Sequence, residues 1–109
     1  MTQNSVNFTV EFHDELEGGI PEPIVDQVYD GLNRVARGVN DISHAMVNVK
    51  IPAQNRATNY VYEVTIRLWM DGNDATVTEK GEMLDGTLGA ALDALERNVK
   101  EVRERKRGQ

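Results

Sequence analysis

Half of the chain's 12 basic residues crowd into positions 97–109, as Arg97, Lys100, Arg103, Arg105, Lys106 and Arg107. Lysines and arginines gathered on one helix end suit the neutralisation of nucleic-acid phosphates, with release of condensed counterions. The same cations also complement the negative end of a helix macrodipole, so a solvated helix end is the plainer use of them. The rest of the chain has the opposite sign. Residues 1–96 hold 16 acids and 6 bases, and the first thirty contain Glu11, Asp14, Glu15, Glu17, Glu22, Asp26 and Asp30 with no base at all. That field repels a polyanion. Phosphate contact is therefore expected mainly at the C-terminal end.

Other reactive residue types form no legible site. His13, Asp14 and Glu15 have the atoms for a metal, but successive strand side chains face opposite ways. His44, the other imidazole, is expected to begin a different strand, well apart from His13. Asp71-Gly72-Asn73-Asp74 lacks the alternating ligands and the distal Glu of a calcium loop and reads as a turn. The chain has no Cys, which excludes disulfides, thiolate metal sites and cysteine nucleophiles. No nucleophile elbow, phosphate-cradling glycine loop or triad spacing is present. No metal, cofactor, small-molecule substrate or enzymatic activity is expected. Trp69 falls on an otherwise polar sheet face with Arg67, Met46 and Val61, a candidate protein interface. Single exposed apolar residues are ordinary, however. Homodimerisation through that face or through an exposed strand edge is the matching expectation.

The elements that must position these residues follow from hydrophobic period. Residues 7–13 alternate, with Phe8, Val10 and Phe12 on one face, and read as a strand. After a Gly/Pro-rich loop, Ile24, Val28, Leu32, Val35 and Val39 draw a helical stripe that ends at Gly38. Ala45 to Ile51 alternates again, with Val47, Val49 and Ile51 together. A polar run, Ala53 to Asn59, leads to a long strand with Tyr60, Tyr62, Val64, Ile66, Leu68 and Met70 on one face. Asp71 to Asp74 turns the chain into a fourth strand, Ala75 to Lys80. Leu88, Ala91, Leu92, Leu95, Val99 and Val102 then mark a second helix, with Asp85 or Thr87 as its N-cap.

Because each strand has one apolar and one polar face, both helices are expected on the same side of the sheet. The predicted architecture is α+β: a β-α-β-β-β-α order forming a four-stranded mixed sheet with two helices packed on one face. The first two strands are parallel through a helical crossover, and the short connections make the other pairs antiparallel. With 109 residues, 39% apolar and 28% charged, net charge −6, the chain reads as a single soluble globular domain over 1–109. Residues 1–6 and 107–109 are expected to be flexible. No signal peptide is legible in the polar N-terminus, and no apolar run approaches the roughly 20 residues of a membrane span. A cytoplasmic location without membrane partners is expected.

This element order over most of residues 6–106, with Ala90-Ala91-Leu92-Asp93-Ala94-Leu95 near the start of a helix that ends in bases, resembles the ribosome hibernation-promoting factor and ribosome-associated inhibitor A family. That family is also called the sigma-54 modulation proteins, and the likeness is to its short form. The chain departs from the family pattern at Gly89, where an aromatic is usual, and at Thr87 in place of Asp. The resemblance implies a non-catalytic, ribosome-binding translation inhibitor of the stress response. Such a protein occupies the channel for messenger and transfer RNA on the small ribosomal subunit. It also implies that Arg34, Arg37, Arg97, Lys100, Arg103 and Lys106 contact ribosomal RNA. The alternative, favoured by the acidic body, is a protein-interaction or dimerisation module that keeps the fold without binding RNA.

Overall fold

The structure, a computed structural model, describes residues 6–37, 41–51 and 61–107; the side chains of 103 and 105–107 lie outside the description. Six elements follow in the expected order: β1 (Thr9–Asp14), α1 (Glu22–Ala36), β2 (Ile42–Lys50), β3 (Tyr62–Met70), β4 (Asn73–Gly81) and α2 (Leu84–Arg107). The strands lie in the order β1-β2-β3-β4, with β1 parallel to β2 and the remaining pairs antiparallel. One apolar cluster joins Val28, Leu32 and Val35 of α1, Leu88, Leu92, Leu95 and Val99 of α2, and the inward residues of the sheet. Both helices therefore serve one core, as the one-sided strands require.

Several expected boundaries shift, the first strand running Thr9–Asp14 rather than 7–13. The second strand begins at Ile42 rather than Ala45, and a bulge between Ile42 and His44 reverses the alternation, burying Ile42 while exposing Ser43. It ends at Lys50, so Ile51 is 43% exposed instead of joining Val47 and Val49 in the core. The Ile51 N–H donates to Glu15 Oε1 at 2.9 Å. The fourth strand runs Asn73–Gly81 rather than Ala75–Lys80, because Met70 pairs directly with Asn73. Only Asp71 and Gly72 are left to turn, and Gly72 adopts φ +85°, open to glycine at little cost.

The terminal helix begins at Leu84, so neither Asp85 nor Thr87 is its N-cap. Thr87 lies within the first turns, and its Oγ1 donates to the Met83 carbonyl at 2.6 Å. That bond satisfies a hydroxyl which is otherwise enclosed. Helix α1 starts after Pro21, whose carbonyl accepts from Ile24 and Val25, and its last helical residue is Ala36. Val39 and Gly38, placed by the sequence pattern at its end, lie outside the described residues, as do Tyr60 and the 52–59 run. Of the N-terminal residues 1–6, Val6 packs against the core.

The two helices meet without an intervening side chain at Gly31. A Cβ there would lie 2.5–2.9 Å from three side-chain atoms of Leu92, which is itself buried. By contrast, a Cβ at Gly89 would meet only Gln27 Nε2, at 3.6 Å. Gly31→Ala is expected to destabilise the fold by about 1–2 kcal/mol, overpacking outweighing the gain in helix propensity. Gly89→Ala is expected to stabilise it by about 0.5–1 kcal/mol. Urea denaturation of both variants checks the opposite signs.

Candidate functional site

The amphipathic stripe Leu88, Leu92, Leu95 and Val99 pins α2 on the sheet, which turns Arg97 and Lys100 outward. Arg103 and Lys106 continue on the same helix, where backbone but not side chain is described. The outer surface is not uniformly basic. Asp93, Glu101 and Glu104 are exposed alongside Arg97 and Lys100. On α1, Arg37 is exposed at the C-cap, its N–H donating to the Arg34 carbonyl. Arg34 leans across to α2, with Nη2 3.5 Å from Asp93 Oδ1 and Nε 3.8 Å from Glu96 Oε1. A second tie joins the helices where Gln27 Nε2 donates to the Asp85 carbonyl at 2.9 Å. Thus Arg34, grouped with the other cations by sequence, is engaged by carboxylates.

On the sheet's outer face, Arg67 lies over the Trp69 ring at 4.7 Å and donates to Asp74 Oδ2 at 2.7 Å. His44 meets the other side of this group, edge-on to Trp69 with ring centroids 4.8 Å apart. Met46 is directly opposite Arg67 in the β2–β3 register. The structure therefore places Trp69, Arg67 and Met46 side by side on this face. Val61, although 45% exposed, precedes β3 at its far end, eight residues or roughly 27 Å from Trp69 at strand spacing. It does not join the patch.

The expectation that the two histidines stand apart is overturned. Glu11, in the middle of β1, accepts from His13 Nε2 on its own strand and from His44 Nε2 of β2 at 3.0 Å. Same-face residues two apart on β1, and a diagonal neighbour on β2, fall within reach of one long carboxylate. Both imidazoles are thereby turned onto Glu11. Among the described residues no group of three or more His, Asp or Glu side chains is arranged to hold a metal ion. With Trp69 beside His44, the contacts run without interruption from His13 to Asp74, across all four strands.

No protein-family model and no curated protein sequence matches the chain. Solved structures do. The chain is similar to the N-terminal domain of Thermus thermophilus Protein Y, with 23% identity, TM-score 0.64, and 89% of this chain and 97% of that one covered. It is also similar to a ribosomal subunit interface protein from Coxiella burnetii, with 10% identity, TM-score 0.60, and 88% and 98% covered. At these identities the likeness is one of fold, and it is the fold that the hibernation-factor resemblance implies.

Hydrogen bonds from His13, then from His44, hold the Glu11 carboxyl below its ordinary pKa. A depressed carboxylate adds stability above its unfolded pKa and loses it as pH falls through the folded one. Glu11→Gln is therefore expected to unfold at lower urea than the wild type near neutral pH. The difference should close as the pH falls below the usual carboxylate range. Urea midpoints measured for both proteins across that range test it.

Proposed function

We propose that this chain is a non-catalytic, cytoplasmic ribosome-associated protein that occupies the RNA channel of the small subunit and inhibits translation under stress. The observation that carries this reading is the fold. Across nearly nine-tenths of its length the chain shares its architecture with a Protein Y domain and with a protein described as a ribosomal subunit interface protein. The cationic end of α2 supplies the chemistry. Arg97, Lys100, Arg103 and Lys106, with Arg37 at the end of α1, are the proposed contacts to ribosomal RNA phosphates. Arg34 stands apart from them because α2 acids engage it.

Such contacts fix position rather than read sequence, since phosphates are alike along an RNA. Each one neutralised releases counterions, so affinity falls with salt in proportion to their number. Channel occupancy needs no dimer. The sheet face is largely paired within itself, Arg67 with Asp74, Glu63 with Lys80 and Thr65 with Thr78, which leaves the helical side as the ribosome-facing surface in this reading.

Co-sedimentation with small ribosomal subunits across a salt series tests it. Saturable binding is expected at low salt, weakening steeply as salt rises. Replacing Arg97, Lys100, Arg103 and Lys106 together with Ala should flatten the log–log salt slope by about 3 to 4, at roughly 0.7–0.9 per phosphate contact. A wild-type protein that stays in the supernatant at low salt sinks the ribosome reading. A dimerisation or protein-docking role through the Trp69 face then takes its place.

A further inference from the structure

Arg34 is exposed, yet it is already answered. Its guanidinium lies 3.5 Å from Asp93 and 3.8 Å from Glu96, carboxylates three residues apart and so neighbours on one face of α2. Neither separation is that of a closed charge-assisted bond, which falls below about 3 Å. With the Arg34 side chain 47% and the Asp93 side chain 65% exposed, an anion from solution can reach the group. It must first compete with two carboxylates that never leave.

The surroundings sharpen that competition. A cleft of about 470 Å³ opens between α1 and α2, and its charged lining is Asp26, Asp30, Arg34 and Asp93. Asp30, Asp93 and Glu96 outnumber this one guanidinium on the interhelical surface. A phosphate arriving there is repelled by the site before it meets its cation. At the C-terminal end of α2, by contrast, Arg103, Arg105, Lys106 and Arg107 outnumber Glu104.

We infer that Asp93 and Glu96 are specificity-determining residues: by occupying Arg34 they close the interhelical face to phosphate and confine polyanion contact to the end of α2. The inference rests on the ribosome-binding reading for its biological partner, but its physical content concerns any polyanion. Two carboxylates built into the chain stand beside Arg34 where a phosphate would have to approach. The consequence is a smaller phosphate footprint and a shallower salt dependence than the cations of both helices together would give.

The test compares four proteins: wild type, Arg34→Ala, Asp93→Asn with Glu96→Gln, and all three changes together. Each is titrated against a short duplex RNA by fluorescence anisotropy and against small ribosomal subunits by co-sedimentation, both across a salt series. Arg34→Ala alone is expected to leave the wild-type salt slope unchanged. Freeing Arg34 with the Asn and Gln substitutions should tighten binding and steepen the slope by about 0.9, one further phosphate contact. Adding Arg34→Ala to that pair should remove the steepening. If Arg34→Ala flattens the wild-type salt slope, Arg34 is already a phosphate ligand and the inference is overturned. It is equally overturned if the steepening survives in the triple variant, because loss of two negative charges then explains it without Arg34. Wild-type protein that binds the duplex but not the subunits overturns the ribosome reading alone, and the duplex series still decides the role of the acids.

Discussion

The helical layer is organised by the approach of α1 to α2 at Gly31. Leu92 reaches the α1 backbone where even a methyl group would crowd it, so the helices have little freedom to slide past one another. α2 lies across β3 and β4 and carries α1 beside it, while Tyr29 of α1 reaches Phe12 of β1 with ring centroids 6.0 Å apart. The axial register fixed at Gly31 places Gln27 against the first turn of α2 and Arg34 against Asp93 and Glu96. A buried apolar contact thus determines which surface charges face each other. Interiors packed at crystal-like density transmit such constraints because they do not deform smoothly.

Charge pairing then decides which cations remain to act on a partner. Arg67 is committed to Asp74 and to the face of Trp69, Lys80 stands 3.8 Å from Glu63, and Arg34 faces two acids. These pairs are largely exposed, so each contributes little to stability. Their effect on binding is larger, since a polyanion must displace the carboxylate before it gains the cation. Among the described residues before Arg97, Arg34, Arg67 and Lys80 are engaged in this way. The acidic body therefore repels at a distance and also consumes positive charge locally.

Much of this was legible in the chain itself. Alternation in Val47, Val49 and in Val64, Ile66, Leu68 specifies faces, and the stripe from Leu88 to Val99 specifies a helix, because burial has the period of the backbone that produces it. The topology followed from counting one-sided strands and short connections. What the sequence did not disclose depends on register. The bulge at Ile42 and His44 shows only when β2 is laid against β3, and it alone puts Ile42 in the core. Glu11 has no local signal as a meeting point. Thr9, not Glu11, stands opposite His44, and only a carboxylate long enough to reach along the diagonal brings His13 and His44 to one residue. Likewise, no pattern within α1 or α2 marks Arg34 as engaged, since the partners lie about sixty residues away in the chain and meet through Leu92 and Gly31.

A net charge of −6 looks at first like an argument against any RNA partner, but distance weakens it. α2 has 24 residues, so at 1.5 Å per residue its ends lie about 36 Å apart. Physiological salt screens exposed charges over about 8 Å. Asp85, at the N-terminal end of α2, therefore contributes almost nothing to the potential felt by a phosphate beside Lys106. The charges that matter there are within one or two helical turns: Lys100, Glu101, Arg103, Glu104, Arg105, Lys106 and Arg107. Five are positive and two negative, so the local sign is the reverse of the net sign. At low ionic strength the screening length grows and the distant acids begin to count, which opposes the gain in phosphate attraction that low salt ordinarily brings. In the ribosome-binding reading proposed above, the affinity of such a bipolar molecule for a polyanion would be governed by the few cations of one helix end and by the nearest acids that dilute them, while the rest of the body would set how the molecule is oriented as it approaches.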